Sequence, residues 1–338
     1  MDPFELIDAR SAEEAVGLLA RYGGRAQLFA SGADILSMLK DRIRGPSMKP
    51  PNVLVNLGRV KGLDRIEISA GRLRIGAMTR LADVIEHSIV RRELPLLAEA
   101  AERIASPQLR NTSTVGGNLC QRPRCWYFRN PDIECLKKGG SICWAVEGEN
   151  RWYHAIVEGG PCHIVHPSDL APAFVTMEAS LMLLGPHGRR EIPIERFFVT
   201  TAHSLVQENV LEDGEMIVSV SVPRPLRAFR QAFEKATVRR SDEFALVSVA
   251  VAAVLDGETC RECRITYGGV SPRPYRARKA EAALHGKTIS DETVTAAANA
   301  EFRNAVPMSG NGYKIPLAAG VLRRAFRRIT ESPTGPPV

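Results

Sequence analysis

Long apolar runs are missing from this chain of 338 residues. The longest, such as Phe244 to Leu255, are too short to span a bilayer, so no membrane span is expected. The N-terminus, Met1-Asp-Pro-Phe-Glu-Leu, has no basic stretch followed by an apolar one, so a secretory signal is not expected. Cytoplasm is the default location, with export alongside a signal-bearing partner as the alternative. Aromatic residues are few, at 6%. The formal net charge is +7, but a nucleic-acid reader needs stacking rings or a reader motif beside its basic patch, and neither is present. The local cluster Arg323, Arg324, Arg327 and Arg328 reads as solvated surface or a site for an acidic partner.

Nucleotide fingerprints are also missing. Gly286-Lys287-Thr288 has Glu281 where a P-loop needs glycine. Gly310-x-Gly312 has Ile315 where a dinucleotide-binding turn needs its third glycine, and no strand precedes it. The seven cysteines are an odd number, which argues against a disulfide framework. Cys260-x-x-Cys263 has no partner pair, and on a strand an offset of three places the two side chains on opposite faces. It reads as structural.

What is present suffices for two or three domains with ordinary apolar (44%) and charged (25%) content. Ser11-Ala-Glu-Glu14 predicts a capped helix ending at Gly23-Gly24. Strands are expected at Gln27 to Ala30 and Val53 to Leu57. A hairpin is expected around Ala70-Gly71, and helices over Thr79 to Glu86, Leu94 to Ile104 and Leu170 to Glu178. Further strands are expected at Leu181 to Leu184, Met216 to Val222, Ala245 to Leu255 and Cys263 to Tyr267. Pro223-Arg-Pro225 reads as a linker to a separate α+β domain, and Ser332 to Val338 as a flexible tail.

Two loops could take an anion, and a Ser-Asp segment follows them. Leu28-Phe-Ala-Ser-Gly32-Ala-Asp34-Ile35 carries a strand into a small-residue turn that opens a helix, leaving backbone N–H groups for a pyrophosphate. An ordinary tight turn is the plain alternative. Thr114-Val-Gly-Gly-Asn118 offers close backbone approach, with Thr114 and Asn118 as polar groups; a strand bulge is its alternative. In Ser168-Asp-Leu-Ala-Pro172, Asp169 fits a helix N-cap. Between the second loop and this segment lie Cys125, Cys135, Cys143 and Cys162, with 9, 7 and 18 residues between successive cysteines. These spacings lack the Cys-x-x-Cys pairs of structural zinc sites. Four thiolates suit a 4Fe–4S cluster. His154, His163 and His166 keep zinc open, and free thiols are the third reading.

Taken together, these loops resemble those of the flavin-binding medium subunit of the xanthine dehydrogenase family of molybdenum hydroxylases. The first loop departs from the family pattern at Ser31 and Ala33. Glu215 to Pro223, Phe233-Glu-Lys235, Phe244 to Ala250, Gly268-Gly-Val and Gly312 to Leu317 continue the likeness. The 49 residues between Asn118 and Ser168 match the branch of 4-hydroxybenzoyl-CoA reductase and a bacterial aldehyde oxidoreductase. The resemblance implies an α+β fold. A two-subdomain FAD-binding domain of the vanillyl-alcohol-oxidase (PCMH) type (1–58 and 59–225, insertion about 120–165) would precede a CO-dehydrogenase-flavoprotein-like α+β domain (226–330) and a tail (331–338). It implies FAD lined by Leu28, Phe29, Ala30, Ser31, Gly32, Ala33, Asp34, Ile35, Thr114, Gly117, Asn118, Cys120, Ser168, Asp169, Ile217 and Lys235. Cys120 would be a flavin neighbour, and Cys125, Cys135, Cys143 and Cys162 would hold a 4Fe–4S cluster. The implied role is electron transfer within a heterotrimer, or a dimer of such heterotrimers. A small 2Fe–2S subunit, a large molybdenum-cofactor subunit that turns over the substrate, and an external electron carrier complete it. No catalytic residue is expected in this chain. A self-contained flavin oxidase or reductase of the same fold, and a non-enzymatic iron–sulfur scaffold, are the rival readings.

Overall fold

The computed structural model describes residues 1–224, 229–239 and 242–331. The expected junction at 225/226 and the tail at 332–338 therefore lie outside the described residues. Three sheets organise the chain. The first is parallel, with β1 (Glu5–Asp8), β2 (Ala26–Phe29) and β3 (Val53–Asn56) in the order β1-β3-β2. The helix Ala12–Tyr22 covers it. Ser11 caps this helix by accepting from the Glu14 amide, and Gly23 ends it at φ 56°. Its apolar stripe, Ala12, Ala15, Val16 and Leu19, is the buried one.

The second sheet is antiparallel. It holds β4 (Ile66–Ser69), β5 (Arg72–Gly76), β6 (Ser180–Gly185), β7 (Gly188–Pro193) and β8 (Met216–Pro223), in the order β4-β5-β8-β6-β7. Ala70 and Gly71, at φ 48° and 72°, make the expected turn of its first hairpin. The helix Leu170–Thr176 is buried at every position; it shares a core with this sheet and packs against the third sheet, where Thr176 bonds Ala250 O and Thr266.

The third sheet holds β9 (Arg230–Ala236), β10 (Val247–Asp256), β11 (Thr259–Gly268) and β12 (Tyr275–Arg276), in the order β12-β11-β10-β9. The apolar run of β10 has a direct cause. Val247, Val249, Val251 and Ala253 face the helices of the C-terminal part. Ala250 and Ala252 point the other way, into the core shared with the second sheet. A strand buried on both faces needs no polar alternation.

Several expectations change. The helix Ser88–Glu93 and the strands β7 and β9 are additional elements. β7 is mostly exposed and charged, so its alternation carries little apolar signal. Residues Val115–Leu119 form a helical turn rather than a strand bulge. Cys260 and Cys263 do not lie on opposite faces. Leu255 pairs with Cys260 and Val254 with Glu262, which leaves Arg261 as a bulge, so both thiols enter the same core. Among the described residues no helix is long and apolar enough to cross a membrane.

Candidate functional site

A cleft of about 980 Å³ runs between the first and second sheets, and Lys235 of β9 adds to its lining. All the expected cofactor residues line it except Phe29 and Ser168. Phe29 instead packs under the turn, where a Cβ on Gly32 would lie 2.7 Å from its ring and 2.7 Å from Leu36. Gly32 also sits at φ 77°, so the turn needs glycine for both backbone shape and space. Among the described residues nothing accepts from the amides of residues 31–35, whereas Leu36 N already donates to Gly32 O. These free donors at the mouth of a turn suit an anion.

Thr114 caps the second loop, its hydroxyl accepting from Gly117 N at 3.2 Å. Ser168 Oγ donates to Asn118 Oδ1 at 2.5 Å and accepts from Ala171 N at 3.1 Å. It is therefore Ser168, not Asp169, that caps the helix Leu170–Thr176, and Ser168 acts behind the cleft wall. The Asp169 carboxylate goes to Lys235 Nζ at 2.7 Å, and Lys235 also donates to Arg103 O at 2.8 Å. Both charges are buried. Burial pushes the Asp169 carboxyl up, against the pull of Lys235. The Cys120 thiol lines the cleft, and burial pushes it up to about 12, so it stays protonated at neutral pH.

Asp34 links the cleft to the cysteine segment. It accepts from Arg122 N at 2.7 Å, from Arg129 at 2.7 Å and from Arg124 at 2.9 Å. Burial opposes its ionisation, but the guanidinium groups of Arg124 and Arg129 hold its carboxyl below the usual range. Arg124 and Phe244 also line the cleft, with the guanidinium 4.6 Å over the ring. Neither carried an expectation from sequence. The only signal was the spacing of Arg122, Arg124 and Arg129 around Cys125.

Cys125, Cys135 and Cys162 are buried in one small core with Phe128 and Ile164, and Cys143 is half-buried. The neighbouring Cys162 thiol draws the Cys143 thiol below its ordinary range. His154 Nε2 lies 3.3 Å from Cys125 Sγ. The Nδ1 atoms of His154 and His163 are buried with no hydrogen-bond partner. Among the described residues no three groups of His, Cys, Asp or Glu converge closely enough to hold a single metal ion. The C-terminal part clasps this segment. Asn311 Nδ2 donates to His154 O at 3.1 Å, Lys314 Nζ to the same oxygen at 3.0 Å, and Gly310 N to Asn150 Oδ1 at 2.7 Å. Of the two glycines that fail as a nucleotide fingerprint, Gly310 serves this contact; a Cβ there would stand 2.9 Å from Asn150 Oδ1.

The family described as FAD binding domain in molybdopterin dehydrogenase matches residues 2–225. The chain belongs to that family. A second match, CO dehydrogenase flavoprotein C-terminal domain, covers residues 231–329. The chain is 35% identical over 300 residues to the aldehyde oxidoreductase FAD-binding subunit PaoB of Escherichia coli, covering 88% of this chain and 89% of that one. It is 31% identical over 328 residues to the carbon monoxide dehydrogenase medium chain of Hydrogenophaga pseudoflava, covering 96% of each. A solved structure of that organism's carbon monoxide dehydrogenase, lacking the Mo-pyranopterin moiety, superimposes with a TM-score of 0.76 at 30% identity over 96% of each chain. These matches carry the fold, an FAD-binding domain followed by a CO-dehydrogenase-flavoprotein-like domain.

Proposed function

We propose that this chain is the FAD-containing electron-transfer subunit of a heterotrimeric molybdenum hydroxylase, with a 4Fe–4S cluster on Cys125, Cys135, Cys143 and Cys162. The observation that carries the flavin is the cleft, which brings the loops of residues 28–35 and 114–120 together with Asp169, Ile217 and Lys235 around one cavity. Its volume, about 980 Å³, is at the upper end for ligand pockets, as a dinucleotide requires. The free amides of residues 31–35 would hold the pyrophosphate. The amide group of Asn118, oriented by Ser168, would hold a polar part of the cofactor, and the Asp169–Lys235 pair would line the same cavity. FAD supplies the chemistry, because it exchanges one or two electrons; the protein positions it and sets its surroundings.

The cluster reading rests on four cysteines gathered in one loop-rich segment, three of them buried in a common core. Cys120 is left out of the proposed ligand set, a reading supported by its place in the cleft lining. A small 2Fe–2S subunit and a large molybdenum subunit would supply electrons and turn over the substrate, and an external carrier would complete the path. Cytoplasm remains the proposed location.

Anaerobic purification of the chain with its neighbouring gene products tests all of this. Two co-purifying subunits, a yellow flavin spectrum, and four irons and four sulfides in this chain are expected. Zinc alone would overturn the cluster, and full turnover by the isolated chain would favour a self-contained oxidase.

A further inference from the structure

Four aromatic rings lead from the cleft to the surface. Phe244 lines the cleft. Its ring meets Tyr153 edge-on, with centroids 6.2 Å apart. Tyr153 meets Trp152 at 6.3 Å, and Trp152 meets Trp126 at 5.5 Å. Trp126 is 49% exposed. Edge-to-face contact stabilises any core; what sets this row apart is that its contacts run without a break from a cleft-lining ring to an indole at the surface. The order of the rings is also graded. The benzene ring, hardest to oxidise, lies at the cleft; a phenol and two indoles, each oxidisable by one electron, follow.

The charges beside the two inner rings also differ. The Arg124 guanidinium over Phe244 disfavours positive charge at the cleft end. Tyr153 OH donates to the Glu243 carboxylate at 2.6 Å, so a proton acceptor is already in place; Arg239 pairs with the same carboxylate at 2.8 Å.

We infer that Tyr153, Trp152 and Trp126 form a route by which an oxidising equivalent leaves the cleft. This rests on the reading of the cleft as the flavin site. The oxidant is an oxygen-derived radical formed beside reduced flavin, or light-excited oxidised flavin in the laboratory. It takes one electron from Tyr153, whose phenolic proton moves to Glu243. Trp152 returns one electron to Tyr153 as the proton comes back, and Trp126 returns one to Trp152. A soluble reductant of the thiol or ascorbate class then gives one electron to Trp126. The net change is one electron moved from the reductant to the oxidant. Low-potential electrons cannot use this route, because indole and phenol are not reduced, so it serves protection and not turnover.

The test uses the flavin-loaded full chain under a blue-light pulse, with flavin content read first by absorbance. Wild type should show an indole radical that ascorbate removes, and repeated pulses should place added oxygen on Trp126 by peptide mapping. In Trp126→Phe the added oxygen should move inward to Trp152, and the ascorbate-sensitive signal should be lost. In Trp152→Phe the indole radical should be absent at unchanged flavin content and melting temperature. Trp144→Phe is the control, since Trp144 is 47% exposed in the same segment and has no ring contact among the described residues; it should behave as wild type. Bound flavin with no indole radical, or a radical that persists in Trp152→Phe, would overturn the route alone. Failure to bind flavin would overturn the cleft reading and the route with it.

Discussion

Asp34 shows how one carboxylate joins two functional regions. Its three partners come from residues 122–129, the stretch that carries Cys125 into the core. Asp34→Asn keeps the shape and removes the charge. It should cost about 1.5–3 kcal/mol, the range for losing a hydrogen bond to a charged group. Urea midpoints check the cost. Hydrogen exchange should rise at residues 122–129 and stay unchanged in β10; uniform exchange in both places would refute a local clamp.

His166 offers a test with a definite sign. It is buried, its Nδ1 accepts from Ser168 N, and burial pushes its pKa down to about 3. An unfolded histidine titrates near about 6.5. Between these values the unfolded chain binds the proton and the native chain does not. Stability is therefore full above about pH 6.5 and falls with pH below it, by up to about 1.4 kcal/mol per pH unit. His166→Gln should flatten the pH dependence of the urea midpoint over that window. An unchanged slope would assign the loss to other groups.

Between elements, the Asp169–Lys235 pair ties the N-terminus of the helix Leu170–Thr176 to β9. Removing one partner of a buried pair leaves an uncompensated charge and typically costs about 3–5 kcal/mol. Lys235→Met alone should therefore destabilise more than Lys235→Met combined with Asp169→Leu. A double-mutant cycle by chemical denaturation checks this, and additive losses would contradict it. Elements with strong periodicity or capping, such as the helix Ala12–Tyr22 and the strand β10, were legible in the sequence. β7 and β9 were not, because their side chains follow cross-strand partners and ion pairs rather than a simple apolar alternation. The bulge at Arg261 was invisible for a related reason: register is set by the partner strand, not by the spacing of the two cysteines.

For the molecule as a whole, the cleft touches the first sheet, the second sheet and β9. Ligand bound there should stabilise all of them together. FAD at 100 times its dissociation constant should add about 2.7 kcal/mol, seen as a single, higher melting transition by calorimetry. No shift would mean the cleft does not take FAD. The clasp between residues 310–314 and 150–155 ties the C-terminal part to the cysteine segment. Asn150→Ala removes its hydrogen bonds to Ala145 O, Ser309 Oγ and Gly310 N. If the proposed cluster is bound there, this variant should lower iron retention during gel filtration while flavin content holds; equal loss of both would argue against a contact specific to that segment.

The sequence alone determined the family, the two anion-friendly loops and the grouping of four cysteines. Those features are written in contiguous residues whose chemistry is local: glycine turns, small side chains and thiols. Only the tertiary structure decided what the polar groups do. It turned Asp34 toward the arginines, gave the cap to Ser168 and left Asp169 to Lys235. It also lined up Phe244, Tyr153, Trp152 and Trp126 from three separate stretches of chain. A buried charge or ring takes whatever partner the packing brings within reach, and that partner can stand anywhere in the sequence.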